Sequence, residues 1–410
     1  MIIPSIDIQG GRVVQLRQGR DRVWTDSRSP VELARYFARF GPVAVIDLDA
    51  ALGTGNNSTL VSECCQVAQC RVGGGIRSKE DVLQWIRRGA DKVIIGTAAS
   101  PEFLGQFPRE WLIAAIDARN DEVVIEGWRK TTGRCVYDVA KTLAPYCCEL
   151  LYTCVEREGM LGGAAIETGL QLCESVPVPV TVAGGIRSID ETKQLIAGGC
   201  NVQLGRAVYE NRIDLADAWV AQIAFGNDGL VPTVVQDGVS GDVRMLAYSN
   251  AESLRAALRT GQGWYYSRSR KELWRKGAIS GNAQELIAAR WDCDRDAVLF
   301  RVIQTGPTCH TGKANCFNTS APDVLNRLAS TIADRSRSND SKSYTRSLLD
   351  DPALLNAKLR EEIEEVIEAD TIDEVAWESA DVIYHILVRA LAGGVTFDRI
   401  CAELRSRLLK

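Results

Sequence analysis

The sequence predicts a multidomain protein: a (β/α)8 barrel of the TIM type, then a small β-rich domain, then an all-α helical domain. Over the first 226 residues, short β-branched runs alternate with helical patterns. The next ninety or so residues hold turns, aromatics and a cysteine cluster without that alternation, and the remainder runs in long amphipathic helical patterns. A chain of 410 residues also exceeds one typical domain. The boundaries fall at 1–226, 228–318 and 324–410, with the polar stretch NTSAPD between the last two.

In the first segment the candidate strands are IIPSIDI, VAVIDLD, CRVGGGI, KVIIGTA, LIAAIDA, ELLYTCV, VTVAGGI and VQLGRAV. Eight strand-plus-helix units in this length suggest a closed barrel. The segment also repeats itself. GGIRS occurs at Gly74–Ser78 and at Gly184–Ser188, an offset of 184 − 74 = 110. Asp7 and Asp117 share it, 117 − 7 = 110, and Gly96 and Gly205 nearly do. Two half-barrels related by a pseudo-twofold axis are the simplest reading.

The carboxyl ends of barrel strands carry the chemistry in this architecture. Asp7 and Asp117 would face each other there as a carboxylate pair suited to proton transfer. The turns at Gly75 and Gly185, with those at Gly96 and Gly205, offer backbone N–H groups near helix starts and so read as two phosphate cradles. Such a site takes an elongated ligand with a phosphate at each end. Either feature alone could be structural, the glycines closing turns and the aspartates bonding the rim. Both occurring in duplicate at one offset favours function.

These segments (IPSIDIQGGRVVQLRQG, IDLDAALG, VGGGIRS, IDARNDEVVIEGW, YTCVEREGMLGG, AGGIRSIDE) resemble the ProFAR isomerase family of histidine biosynthesis over nearly the whole barrel. The resemblance implies an Amadori rearrangement of an aminoaldose to an aminoketose, with Asp7 as general base and Asp117 as general acid. It makes Thr153 a substrate-positioning residue and Trp128 a substrate contact from a loop. Two positions depart from the family pattern. Glu158-Gly159 replaces an Asp-Gly after the sixth strand, and Gln15 stands where an Arg is common, with Arg17 nearby. Gln15 also weakens the case for the tryptophan-pathway isomerisation that some relatives perform.

In the middle segment, WDCDRD supplies Asp292, Cys293, Asp294 and Asp296, and CHTGKANC supplies Cys309, His310 and Cys316. Three thiolates suit Zn2+ with a fourth position open for water, and the interleaved aspartates suit Mg2+. Strand alternation would separate Cys293 from the aspartates. An EF-hand is excluded because Ala297 and Ile303 stand where it needs Gly and Glu. A nucleobase deaminase lacks its H-x-E partner here. Clustered cysteines can also be buried apolar residues, a reading the acidic run and CHTG context disfavour. LAYSN, YYSRSRKELWRKGAISGN, DCDRD and CHTGKANC together resemble phosphoribosyl-AMP cyclohydrolase across about 228–318. That resemblance implies Zn2+ on Cys293, Cys309 and Cys316, the thiols coming from two chains of a dimer, and Mg2+ on Asp292, Asp294 and Asp296. The zinc would activate water to attack the adenine ring carbon next to N1. His310 would carry protons, and Ser267, Arg268, Ser269, Arg270 and Lys276 would hold phosphate and ribose.

In the last segment, KLREEIEEVIEA places Glu362 and Glu365 one helical turn apart, and ESAD repeats the spacing with Glu378 and Asp381. Facing pairs of this kind can hold Mg2+ on a pyrophosphate. A solvated acidic face would explain the first pair alone, but the second adjoins the apolar run VIYHILV, where carboxylates are costly. SYT, KLREEIEE and ESADVIYHILV resemble phosphoribosyl-ATP pyrophosphohydrolase over about 324–409. The match implies Mg2+ on Glu362, Glu365, Glu378 and Asp381, with Glu361 a further candidate, Lys358 on phosphate, and dimerisation through these helices. His385 lies on an apolar stripe and is read as packing.

A formal net charge of −5 argues against general nucleic-acid binding. The start of the sequence has no signal-peptide pattern and no run reaches the length of a membrane span, and thirteen scattered cysteines suit a reducing cytoplasm. The expected substrates are phosphoribosyl-ATP, phosphoribosyl-AMP and ProFAR, turned over in consecutive steps by a homodimer. The rival reading keeps the two hydrolases and makes the barrel a scaffold or ribotide-binding module without catalysis.

Overall fold

The computed structural model describes residues 1–17, 21–317, 324–338 and 343–407. The NTSAPD stretch and the side chain of Arg17 lie outside the described residues. Eight strands form the barrel: β1 (Ile2–Gln9), β2 (Val43–Asp47), β3 (Cys70–Gly73), β4 (Lys92–Ile95), β5 (Leu112–Arg119), β6 (Glu149–Cys154), β7 (Val180–Ala183) and β8 (Asn201–Leu204). Each pairs in parallel with its neighbour, and β8 pairs with β1 to close the ring. All eight expected strands are therefore present. They are apolar on both faces because both are covered. Ile94, Ile113, Leu151 and Ala183 pack together in one small core cluster. Side chains such as Leu33 and Phe37 of the Pro30–Phe37 helix belong to the large core that includes Ile6 and Val45 of the strands.

The repeat seen in the sequence is a repeat of local structure. Ser78 and Ser188 accept the N–H groups of Asp81 and Glu191, capping the helices Lys79–Arg87 and Ile189–Ala197. The paired glycines before them sit in the left-handed region, with φ of 102° and 72° at Gly74 and Gly75 and of 93° and 75° at Gly184 and Gly185. A Cβ on Gly74 would stand 2.2 Å from the Asp47 carbonyl oxygen, so only glycine lets this turn pass so close to β2. Each half also extends past its first strand into an antiparallel hairpin, Arg12–Arg17 with Asp21–Thr25 and Glu122–Ile125 with Lys130–Cys135. These begin at the same offset, 122 − 12 = 110.

The β-rich domain follows as β9 (Val231–Asp237), β10 (Val243–Ser249), β11 (Trp264–Ser267), β12 (Glu272–Arg275), β13 (Gln284–Trp291) and β14 (Val298–Gln304), with one helix, Ala251–Thr260. Its main sheet runs in the order β10-β9-β14-β13, and β11 with β12 forms a separate ribbon. This domain and the barrel share one hydrophobic core, which includes Ile2, Trp219, Leu254 and Phe300.

The C-terminal unit is helical: Val324–Arg337, Tyr344–Asp350, Pro352–Glu368, Ile372–Ala392 and Phe397–Ser406. Its core is small, centred on Ile332, Leu348, Leu355, Leu387 and Val388. No single helix among the described residues is long and apolar enough to cross a membrane.

Candidate active sites

Strand order puts Asp7 on β1 and Asp117 on β5, half a turn of the barrel apart and both near the carboxyl ends of their strands. Asp7 accepts the Ser5 hydroxyl at 3.0 Å, and burial pushes its carboxyl up to about 6. Burial also raises Asp117, opposed by hydrogen bonds from Trp128 and Thr153. Thr153 on β6 is the register partner of Asp117. Trp128 reaches in from the hairpin loop, its Nε1–H donating to Asp117 Oδ2 at 2.9 Å. That loop holds Glu126, Gly127 and Trp128 at φ of 57°, 64° and 68° in succession, a conformation two of them adopt only under strain.

The two departures from the family pattern are both in the mouth. Burial, then the charges of Asp7 and Asp117, push the Glu158 carboxyl up to about 8, so three carboxyls share one opening. Gln15 is buried, and its Oε1 lies 3.0 Å from where a Cβ on Gly205 would sit, lining the turn expected to cradle phosphate. A cavity of about 200 Å3 opens beside Asp117 and Gly96. Gly75 and Gly185 occupy the paired turns already described.

In the β-rich domain a cavity of about 780 Å3 brings together Ser267, Arg268, Ser269, Arg270, Lys276, His310 and Cys316. Tyr248, Trp274 and Thr308 also line it and were not singled out from sequence. The Arg268 guanidinium lies 3.7 Å from the Tyr248 ring centroid, which fixes a flexible cation in the cavity wall. Lys276 donates to the Thr308 carbonyl, and burial lowers its pKa. Cys309 and Cys316 act on each other's thiols. The Thr311 hydroxyl donates to Cys309 Sγ at 3.1 Å and pulls that thiol below its ordinary value, while burial raises Cys316. His310 Nδ1 lies 3.8 Å from Cys309 Sγ.

Cys293 does not join this pair. Among the described residues no three-ligand cluster contains it, and it lies exposed with its sulfur 3.9 Å from Asp294 Oδ1. The expectation of strand alternation at Asp292–Asp296 is corrected: β13 ends at Trp291 and the aspartates occupy the turn to β14. Arg295, at φ 68°, bends this turn. The bend brings carboxylate oxygens of Asp292, Asp294 and Asp296 within 4.8 Å of one another, and the charge of Asp294 raises Asp296.

In the helical unit, Glu362 and Glu365 on the Pro352–Glu368 helix meet Glu378 on the Ile372–Ala392 helix, their ligand oxygens within 4.8 Å. Burial raises Glu362, with Asp381 and Glu365 adding to the shift, and Glu378 is raised by lost hydration and then by Glu365, Asp381 and Glu362. Asp381 thus acts on the cluster electrostatically. Lys358 pairs with Glu361 at 2.7 Å. His385 is buried, as its apolar stripe predicts, but it also contacts the cluster. Its Nδ1 lies 2.9 Å from the Asp381 carbonyl oxygen and 3.7 Å from Glu362 Oε1, and its Nε2 lies 3.3 Å from the Tyr344 hydroxyl. The apolar neighbours of His385 in sequence hide that polar end.

Comparison with known proteins matches three successive segments of the chain to three families. A family model described as "Histidine biosynthesis protein" matches residues 1–214, "Phosphoribosyl-AMP cyclohydrolase" matches 245–318, and "Phosphoribosyl-ATP pyrophosphohydrolase" matches 325–408. The chain is 44% identical over 183 residues to the histidine biosynthesis bifunctional protein HisIE of Staphylococcus aureus (strain COL), covering 44% of this chain and 87% of that protein. It is 38% identical over 198 residues to HisIE of Bacillus subtilis (strain 168), covering 45% and 95% respectively. Over half of this chain has no counterpart in either alignment.

Proposed function

Because the chain belongs to the histidine biosynthesis protein family through its barrel, and to the phosphoribosyl-AMP cyclohydrolases and phosphoribosyl-ATP pyrophosphohydrolases through the domains that follow, we propose that it performs three consecutive steps of that pathway. It is a histidine-biosynthesis enzyme with cyclohydrolase and pyrophosphohydrolase domains. The helical unit releases pyrophosphate from phosphoribosyl-ATP, the β-rich domain opens the purine ring of phosphoribosyl-AMP, and the barrel isomerises the resulting ProFAR.

The carrying observation for the isomerase step is the carboxyl trio at the barrel mouth. Asp7, at about 6, is mostly ionised at neutral pH and suited to take a proton from the substrate carbon. Asp117, raised by burial and held by Trp128 and Thr153, is the group to protonate the opening ribose ring. Glu158, at about 8, is mostly neutral at the same pH, so it adds no charge where a bis-phosphate substrate must enter.

Three exposed carboxylates at Asp292, Asp294 and Asp296 are a hard oxygen set that fits Mg2+, as are Glu362, Glu365 and Glu378 with Asp381 alongside. Cys309, with its lowered pKa, and Cys316 fit two of the three zinc ligands, and Cys293 of a second chain would complete the set. When bound, zinc supplies water activation. Arg268, Arg270 and Lys276 hold the phosphate, and His310, beside Cys309, moves the proton. A homodimer also suits the exposed apolar side chains Ile367, Ile372 and Trp377 of the helical unit. Free cysteines throughout suit the reducing cytoplasm.

The test is turnover of each of the three substrates by the full chain and by Asp7→Asn and Asp117→Asn. Each variant should lose isomerisation by about 10²–10⁴-fold with both hydrolyses near wild type. A wild-type chain that hydrolyses but does not isomerise would establish the barrel as a scaffold instead.

A further inference from the structure

We infer that the barrel positions the acidic loop of the cyclohydrolase domain, so that the convergence of Asp292, Asp294 and Asp296 depends on docking to the barrel. The claim that this convergence serves a divalent cation rests on the reading above; the docking itself does not.

β13 is an edge strand, and an edge exposes unpaired N–H and C=O groups. Here the Gly261–Gly263 segment of the same domain pairs with its start, and the barrel covers the rest. Ala289 N–H donates to the Arg39 carbonyl at 2.8 Å, and the Arg290 guanidinium reaches the Ala38 carbonyl at 3.4 Å. Trp291, the last residue of the strand, packs on Trp219, with ring centroids 5.0 Å apart. Trp219 is completely buried and anchored by its own Nε1–H to the Phe40 carbonyl at 3.1 Å. The strand is therefore fixed to the barrel up to the residue before the loop.

The loop is also held at its far side. Arg295 carries a left-handed backbone that a non-glycine residue adopts at a cost. Its carbonyl accepts the N–H of Ala224, 2.9 Å away, in the segment after the last barrel helix, Leu215–Val220. Loop and barrel thus meet at the residue whose conformation turns the chain, between Asp294 and Asp296. The helix Ala251–Thr260 adds a second clamp. Arg255 and Arg259 pair with Asp217 at 2.6 and 2.8 Å, and Arg39 donates to the Leu258 and Arg259 carbonyls. A Cβ on Gly261 would stand 2.4 Å from the Arg39 guanidinium, and at φ 69° the position favours glycine, which leaves room for this approach. Ala38 and Arg39 precede β2, at the rim opposite the mouth that holds Asp7 and Asp117. The barrel can therefore clamp one domain and keep its own site open.

Hydrogen exchange of the full-length, chelator-treated chain tests the docking without any metal. Trp291→Ala should speed exchange of the peptides containing Ala224 and Ala297 by about tenfold or more, and Trp291→Phe should restore protection. Arg39→Ala, which loosens the same junction away from the loop, should act in the same direction and decides the matter if Trp291→Ala does not fold. Unchanged protection in the folded variants overturns the inference. Manganese titration in a Glu362→Gln, Glu378→Gln background then reads the consequence. Binding that is abolished by Asp294→Asn should weaken about tenfold in Trp291→Ala. An unweakened affinity there overturns the positioning role. A parent chain with no Asp294-dependent binding refutes the metal reading alone, and exchange still judges the docking.

Discussion

Glu158→Gln separates the chemistry of the barrel from its architecture. With its carboxyl pushed up to about 8, Glu158 is about nine-tenths protonated at pH 7 and about nine-tenths ionised at pH 9. Glutamine copies the protonated form in size and charge, so the variant should isomerise within about twofold of wild type at pH 7. Above that pH the two should part. If the ionised form repels a substrate with a phosphate at each end, wild-type kcat/KM should fall about tenfold by pH 9, a barrier change of about 1.4 kcal/mol. Glu158→Gln should stay flat over that range. Both should share an acid limb near pH 6, because Asp7 must be ionised to act as a base. The same shift has a stability consequence of defined sign. A folded pKa raised above 4.5 stabilises the protein below 4.5, and that contribution is lost as pH rises through about 8. The melting-temperature advantage of Glu158→Gln should therefore grow from pH 7 to pH 9. The assay is the pH profile of ProFAR turnover for both proteins, and an alkaline limb near pH 8 of equal amplitude in both would refute the reasoning.

Trp128→Phe keeps an aromatic side chain but removes the donor to Asp117; the loss of one hydrogen bond, about 0.5–1.5 kcal/mol, should lower isomerase kcat/KM about 2–10-fold and leave ring opening unchanged. Glu378→Gln should abolish Mg2+-dependent pyrophosphate release while supplied phosphoribosyl-AMP is still opened, and normal release would mark these acids as surface charge. Purified chain should contain about one zinc by mass spectrometry, and Cys309→Ser or Cys316→Ser should lose both that zinc and ring opening; zinc-free protein with full cyclohydrolase activity would overturn the assignment.

What the sequence disclosed was whatever its local physics decides. Gly74 and Gly184 announce their turns because only glycine fits within 3 Å of the neighbouring strand's backbone, and Ser78 and Ser188 announce helix starts because a side chain must cap them. A repeat of such signals at one offset reveals a barrel without a single tertiary contact. Period-two spacing of the aspartates in the acidic loop reads as a strand, yet a turn presents the same spacing once one residue, Arg295, goes left-handed. Nothing in the identity of an arginine announces that choice.

The junction of barrel and β-rich domain was hidden for a different reason. Trp219 and Trp291 are 72 residues apart, each an unremarked aromatic in its own element, and their pairing exists only once both folds are built. His385 follows the same rule: its stripe correctly predicts burial, but its contact with Glu362 is set by how two helices cross. Residues whose role is made by a neighbour from another element leave no local trace. Here such residues frame the sites, while residues of the sites themselves, Asp7 and Asp117 among them, stand inside motifs. The framing contacts are accordingly where substitution should uncouple one activity from another without touching a reacting group.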